Sequence, residues 1–149
     1  MNVEEKIQST VKINPKQRTI LHLFLIYHSV YDQLNKSLKT YDVSIEQFNV
    51  LRILRGQKGA PIAMKEINER MVSKMSNTTR LVDKLVSKRF VSRNICPSNR
   101  RMMEIEITAL GASQLEQMDL VIDQTQSAVL KEFSDEDIQT LNLLLNKFN

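Results

Sequence analysis

The sequence predicts a mainly α-helical protein with one small β-hairpin. Glycine and proline occur three times each in 149 residues, and apolar residues recur at spacings of three and four over long stretches. Both features favour helices over a sheet-rich fold. The segment 103–107 instead alternates apolar and charged residues, which is the pattern of a half-buried strand. At this length and with 42% hydrophobic residues, the chain is expected to form one compact core.

The first long helix is predicted to begin at Asn14 and Pro15, with Asn14 as the N-cap and Pro15 at the first helical position. The helix is expected to reach Tyr41, which gives a length of about 40 Å. So long a helix in so small a protein usually extends beyond its own core, often into a partner subunit. Its apolar stripe consists of Ile20, Phe24, Tyr27, Tyr31, Leu34 and Leu38.

Two shorter helices are predicted next. Ser44 and Gln47 form a capping box at the start of the second helix, which ends at Gly56. Residues 56–61 are predicted to form a loop, and a third helix covers roughly residues 64–71. The residues predicted to face inward are Ile45, Phe48, Leu51 and Leu54, followed by Met64, Ile67 and Met71.

The fourth helix is predicted to be capped by Ser73 and to continue to about Lys88. One face is mostly apolar, whereas the opposite face carries small hydroxyl and amide groups beside basic residues. The inward residues are Met75, Thr78, Leu81, Val82 and Leu85. The outward residues are Ser76, Asn77, Arg80, Lys84 and Ser87.

A β-hairpin follows this helix. Strands are predicted at residues 90–95 and 103–107, with residues 96–101 as the tip. Two further helices close the chain, so the element order is α-α-α-α-β-β-α-α. A helix-turn-helix followed by a β-hairpin is the winged helix-turn-helix arrangement.

The closing helices leave broad apolar faces. A second long helix follows Thr108, with apolar residues from Leu110 to Phe133, and Ser134 with Asp137 caps the last helix. We expect the first and last helices of two copies to pack together in a two-fold homodimer. The alternative is a monomeric bundle that folds its ends onto itself. The residues expected to be buried by the last helix are Ile138, Leu141, Leu144, Leu145 and Phe148.

Basic residues concentrate in the middle of the chain. Residues 70–103 contain nine Lys or Arg and one acid, a balance of +8, whereas residues 104–149 contain nine acids and two Lys, a balance of −7. A charge run is often only a solvated face. Segregation on this scale, however, is typical of a surface that binds phosphates.

The outward face of the fourth helix suits a DNA major groove, because Asn pairs with adenine, Arg pairs with guanine and Ser bonds bases or phosphate. A solvated face would more often carry Glu–Lys pairs, and no Glu occurs between Glu69 and Glu104. Arginines in the hairpin suit the adjacent minor groove, although a charged tip can also serve solubility alone. The residues predicted to contact DNA are Ser76, Asn77, Thr79, Arg80, Lys84, Arg93, Arg100 and Arg101.

Three segments resemble the multiple-antibiotic-resistance regulator (MarR) family of bacterial repressors. Residues 61–67 are similar to the family's entry into its helix-turn-helix, and residues 76–85 closely resemble its recognition helix. Residues 99–101, 105–108 and Gly111 are similar to its wing followed by a strand, a threonine and a glycine. With the helix order, the resemblance spans nearly the whole chain.

The resemblance implies a triangular homodimer that is joined through its first and last two helices and binds pseudo-palindromic promoter sites. Many members release DNA when a small ligand or an oxidant binds. The residues that the resemblance places at or near the bases are Ser76, Asn77, Thr79 and Arg80, with Arg101 as the wing arginine. The chain departs from the family at Asn99 (usually Asp), Ala63 (usually a hydroxyl cap) and Arg89 (usually Gly).

Two other functions remain open at this stage. The first is a protein-interaction module on the same fold, which would have little reason to keep Arg80 beside Ser76 and Asn77. The second is a redox-responsive regulator through Cys96, whose thiolate the hairpin arginines would favour; an ordinary strand-end thiol is the simpler interpretation. An enzyme is not expected, because no phosphate loop, nucleophile–base arrangement or metal-ligand cluster occurs in the sequence.

No cofactor and no metal are expected, since His22 and His28 lie about 240° apart around one helix. Tyr27, Tyr31 and Phe48 are either core residues or the lining of an apolar effector pocket. We expect a DNA-binding lobe at about residues 44–108 and dimerisation helices at about 14–41 and 109–149. A cytoplasmic location is expected, because no apolar run has the length of a membrane span or a signal peptide.

Overall fold

The computed structural model describes residues 2–72, 77–96 and 99–148, with the backbone alone described for residues 99–102. Within these residues the chain is mainly helical and contains one small antiparallel sheet, as the sequence predicted. The helices are α1 (Val3–Lys6), α2 (Pro15–Leu38), α3 (Ile45–Arg55), α4 (Met64–Arg70), α5 (Thr78–Ser87), α6 (Ala109–Val129) and α7 (Asp135–Leu145). The strands are β1 (Ile62–Ala63), β2 (Val91–Cys96) and β3 (Asn99–Ile107).

The helix starts follow the capping residues in the sequence. The Asn14 side chain accepts a hydrogen bond from the backbone N–H of Gln17, and Pro15 opens α2. A 3₁₀ turn at Lys39–Tyr41 then ends the helical stretch at Tyr41, which is the end predicted from the sequence. The capping box of Ser44 with Gln47 is present at α3. These polar side chains satisfy backbone N–H groups that have no partner within the helix.

The sheet has the strand order β1-β3-β2, and both pairings are antiparallel. Strand β1 and the sequence-distant β3 meet where Ile62 pairs with Ile105. The prediction missed β1, because two residues are too few to show an alternating pattern. It was also wrong about the hairpin tip at 96–101, since β2 and β3 extend into this range and Cys96 pairs with Asn99 after a register shift between Ile95 and Cys96. Backbone hydrogen bonds do not require the apolar alternation from which the strands were predicted.

Helix α5 begins later than the sequence suggested. The described helix starts at Thr78, with Asn77 at the N-cap position and no capping bond from the Asn77 side chain. The predicted cap, Ser73, lies outside the described residues. The buried Thr78 hydroxyl donates to Oδ1 of Asn68 in α4 at 2.7 Å, which fixes the first turn of α5 against the preceding helix.

The core lies between the end of α2, helices α3, α5 and α6, and the sheet. Its members include most inward residues predicted for these elements. Apolar burial of this kind stabilises the fold by roughly 25 cal/mol per Å². The largest fully buried side chains of this cluster are Leu38, Phe48, Leu51, Leu54, Ile67, Leu85, Ile105, Leu115 and Met118.

A tight junction joins the start of the hairpin to the start of α6. The Thr108 hydroxyl donates to the carbonyl of Arg89 at 2.7 Å, and the Thr108 N–H donates to the carbonyl of Phe90 at 3.0 Å. The same hydroxyl accepts from the N–H of Gly111 at 2.9 Å, which caps α6. The junction therefore sets the angle at which the hairpin leaves the core.

The C-terminal helices differ from the prediction. Helix α6 ends at Val129, so Phe133 lies in the following connection, and no residue of α7 is buried within the single chain. The expected burial of Leu141, Leu145 and their neighbours is wrong for one chain, because no other described part of the chain covers that face. Periodicity predicts an apolar stripe but does not say what packs on it. Ile138 is half-buried, and the exposed residues are Leu141, Leu144, Leu145 and Phe148.

Candidate nucleic-acid interface

Helix α5 has one buried face and one exposed polar face. Val82 and Leu85 are completely buried, and Leu81 is half-buried, as predicted. Thr79, Arg80, Lys84 and Ser87 are exposed. The helix thus lies on the core and presents hydroxyl groups and two cations outward. Two members of the predicted faces, Met75 and Ser76, lie outside the described residues.

Asn77 stands at the N-terminal end of the exposed face. It is half-buried, and its Oδ1 is shielded from solvent and accepts no hydrogen bond from the described part of the chain. Its backbone carbonyl accepts from the N–H of Leu81 at 3.1 Å, as the first bond of the helix. A base contact through Oδ1 of Asn77 therefore requires its amide to rotate outward.

An ion pair connects the exposed face to the hairpin. Nη1 of Arg93 in β2 lies 2.7 Å from Oδ1 of Asp83 in α5. Both residues are exposed, so the pair contributes at most about 1 kcal/mol to stability. The pair matters more for position than for stability, because it orients Arg93, one of the arginines predicted to contact DNA. Asp83 was not singled out from the sequence, although it is the single acid in the basic block.

Arg100 and Arg101 follow the first residue of β3, at the opposite end of the strand from the buried Ile105. Their side chains lie outside the described residues. Cys96 pairs with Asn99 at this end and is buried, with 7% of its surface exposed. A sensing thiol needs access to its oxidant, so this burial does not favour redox sensing through Cys96.

A polar cavity of about 500 Å³ extends the basic surface from α5 toward the α2–α3 connection. Lys88 Nζ lies 2.5 Å from Oδ2 of Asp42, and this hydrogen bond holds the pKa of Asp42 below its usual range. Lys84 lines the cavity and carries a positive charge toward this edge. The described lining residues are Asn35, Lys39, Asp42, Val43, Ser44, Gln47, Lys84, Ser87 and Lys88.

An apolar cavity of about 360 Å³ lies between α2, α3 and the end of α4. Tyr27 and Tyr31 line it, as the sequence suggested for an effector pocket. Phe48 does not: it is buried in the core, with 2% of its surface exposed, and it is not among the described lining residues. The described lining residues are Ile26, Tyr27, Val30, Tyr31, Leu34, Ile45, Glu46, Asn49, Met71 and Val72.

Among the helices of the described residues, none combines the length and the hydropathy needed to cross a bilayer. His28 packs edge-on against the ring of Tyr27, with 5.4 Å between ring centroids. Within the described chain, no three His, Cys, Asp or Glu side chains gather as metal ligands.

Residues 43–103, which span α3 to the hairpin, match the MarR family. The chain is 30% identical over 115 residues to the multiple antibiotic resistance protein MarR of Escherichia coli (strain K12), covering 76% of this chain and 78% of that protein. The chain belongs to the MarR family.

Two further comparisons agree with this membership. This chain is 29% identical over 121 residues to the transcriptional repressor YetL of Bacillus subtilis (strain 168), covering 78% of this chain and 72% of that protein. A mutant MarR from E. coli, solved in complex with operator DNA, superposes with a TM-score of 0.75 at 26% identity, over 99% of this chain and 98% of that one. The relatives compared are regulators of transcription.

Two departures from the MarR pattern have visible structural effects. Arg89, at a position where the family usually has Gly, adopts a left-handed backbone with φ of 59°. A non-glycine residue in this conformation carries a backbone strain of about 1–3 kcal/mol. Ala63 is the N-cap residue of α4 and makes no side-chain capping bond. The third departure, Asn99, has its side chain outside the described residues.

Proposed function

We propose that this MarR-family chain is a sequence-specific DNA-binding transcription regulator, acting as a repressor on pseudo-palindromic promoter sites. The observation that carries the proposal is the exposed face of α5, where Thr79, Arg80 and Lys84 stand over a fully buried apolar face. A helix held in this way places its polar face into a major groove as a rigid element.

The roles of individual residues follow from their positions. Arg80 is proposed to read a guanine and Thr79 a base or phosphate, with Ser76 and Asn77 at the leading end of the helix. Lys84 is proposed to contact phosphate. The wing arginines, Arg93, Arg100 and Arg101, are proposed to lie along the neighbouring minor groove or its phosphates.

The functional unit is proposed to be a homodimer. The exposed apolar face of α7 has no partner within the described part of one chain, and large apolar residues on α2 and α6 are exposed as well. Several large apolar side chains exposed on one helix favour an association site at that face. The boundaries proposed are those predicted from the sequence. Residues of about 44–108 form the DNA-binding lobe, and residues of about 14–41 and 109–149 form the dimerisation helices. A two-fold dimer places two α5 helices on half-sites about one helical turn apart.

A small-molecule effector is proposed to bind in the apolar cavity and release the DNA. The cavity lies between α2, which belongs to the proposed dimer region, and α3, which belongs to the DNA-binding lobe. A ligand that favours one spacing of these two helices changes the separation of the two α5 helices. The proposed location is the cytoplasm, where the DNA is, and no catalytic activity is proposed.

Selection of binding duplexes from a random DNA pool at near-physiological salt tests the function. We expect enrichment of an inverted repeat, and Arg80→Ala should weaken binding to it by about 1–3 kcal/mol and blur the base preference at one position per half-site. Lys131→Ala, which removes an exposed cation after α6, is the matched control and should bind like the parent. Failure of the parent to enrich any sequence would favour a protein-interaction module instead.

A further inference from the structure

We propose that the apolar cavity selects a small amphipathic organic cation, whose charged end lies at the Glu46 carboxylate and whose apolar body packs on Tyr27, Tyr31 and the aliphatic lining. The inference rests on the proposed ligand-controlled function and specifies the chemical class of the effector.

The first support is the composition of the cavity. Its volume of about 360 Å³ falls within the range of sites that hold small organic ligands. Eight of the ten described lining residues are aliphatic, sulfur-containing or aromatic, and the other two are Glu46 and Asn49. Glu46 is the single formally charged side chain among the described lining residues, so within that lining a bound ligand meets a negative charge.

The charge state of Glu46 is the second support. Burial opposes ionisation of this half-buried carboxyl, but hydrogen bonds from Tyr31 and Ser44 outweigh it and hold the pKa of Glu46 below its usual range. The Tyr31 hydroxyl donates to Oε1 of Glu46 at 2.6 Å. That same bond raises the pKa of Tyr31, which therefore stays protonated as the donor. At neutral pH the pair carries one negative charge, which repels an anion brought into an apolar space.

Aromatic geometry adds a third support. The rings of Tyr27 and Tyr31 lie 5.7 Å apart between centroids and are tilted by 30°. The faces of such rings carry partial negative charge and attract cations, most strongly where water is displaced. The carboxylate and the ring faces therefore favour the same sign of ligand charge.

Two arginines, Arg52 and Arg70, line a separate, smaller cavity of about 250 Å³ that shares Asn49 and Val72 with the apolar cavity. Arg70 already lies 3.8 Å from a carboxylate oxygen of Glu66, and the Arg52 guanidinium lies 5.8 Å from the centroid of the Phe48 ring. Since these two cations line the neighbouring cavity and not the apolar one, an anionic group in contact with them would lie outside the apolar cavity.

A charge series on one scaffold tests the inference. We would measure the binding of 4-phenylbutylammonium, 4-phenylbutanol and 4-phenylbutyrate to the full chain at pH 7 by calorimetry. The expected order of affinity follows that sequence, with the cation at least tenfold tighter than the anion. Glu46→Gln keeps an acceptor for the Tyr31 hydroxyl but removes the charge, so it should abolish most of that preference. Arg70→Gln, a change in the neighbouring cavity, should leave the preference unchanged.

A second variant keeps the test independent of how well Glu46→Gln folds. Asn49→Lys introduces a cation into the lining and should reverse the order of the charged ligands. Equal or tighter binding of 4-phenylbutyrate by the parent would overturn the inference, as would a preference that survives Glu46→Gln or an absence of binding by all three compounds.

Binding of the selected operator duplex is measured separately for the parent and Glu46→Gln, without ligand. Both should bind equally, because Glu46 lies outside α5 and the hairpin. If the parent selects no operator duplex, that result contradicts the proposed function, and the ligand selectivity is judged by calorimetry alone. Selective cation binding that does not release DNA would support the ligand class and contradict ligand-controlled release.

Discussion

Gly111 lies against the backbone carbonyl of Phe90 so closely that a Cβ at position 111 would penetrate the carbonyl oxygen. The glycine is in the first turn of α6, and Phe90 directly precedes β2. The close approach lets Thr108 bond to the backbone of Arg89 and Phe90. A methyl group at this position would push the hairpin away from α6.

Gly111→Ala should destabilise the fold by about 1–3 kcal/mol, because the clash is with backbone rather than with a flexible side chain. Denaturant unfolding measures this change. Ser113→Ala, an exposed change on the same helix, is the control and should remain within about 0.5 kcal/mol of the parent. Equal stability of the two variants would mean that the junction is looser than the structure describes.

Arg89→Gly should stabilise the fold by about 0.5–1 kcal/mol. Glycine relieves the strain of the left-handed backbone at φ of 59°, although its flexibility in the unfolded state offsets part of the gain. Arg89→Ala removes the same charge but retains the strain, so it should not stabilise. Thermal and denaturant unfolding of both variants separates the relief of backbone strain from the loss of charge. An equal gain in stability for both variants would assign that gain to the lost charge instead.

Asp83→Asn should strengthen binding to non-specific duplex DNA several-fold at low salt. The substitution removes a carboxylate from the proposed DNA-facing surface and releases Arg93 for phosphate. The slope of log K against log salt concentration should become steeper by about one unit. Asp123→Asn, an exposed change on α6, is the charge-matched control. An unchanged slope for Asp83→Asn would place Arg93 away from the DNA.

Leu141→Glu combined with Leu145→Glu should weaken self-association on the order of 100-fold, because two carboxylates would have to be buried in the proposed dimer. Sedimentation over a range of protein concentrations measures this shift. Gln139→Glu combined with Asn146→Glu adds the same charge away from the centre of the apolar stripe and should leave the dimer intact. Identical behaviour of both pairs would place the dimer contact elsewhere.

The sequence predicted the local elements well, because they depend on local chemistry. Asn14, Ser44, Thr108 and Ser134 each accept a hydrogen bond from a backbone N–H in the first turn of the helix that follows. Such capping requires particular side chains at fixed spacing, and these can be read directly from the residues.

The features missed depend on contacts distant in sequence. The pairing of β1 with β3 and the ion pair of Asp83 with Arg93 exist because the fold sets the angle of the hairpin. The absence of Phe48 from the apolar cavity depends on which face of α3 meets the core. Backbone strain at Arg89 cannot be predicted from hydrophobic periodicity, which depends on side-chain polarity and not on backbone angles. The assignments of DNA-contacting residues remain predictions.

The exposed apolar face of α7 also makes regulation depend on the concentration of this protein in the cell. No residue of α7 is buried in a single chain, and an isolated helix of 11 residues is only marginally stable in water. In the proposed dimer, completion of this helix and pairing of subunits are therefore one event, governed by mass action. Occupancy of a promoter would then rise more steeply than in proportion to the number of copies in the cell, so a modest change in synthesis would act as a switch.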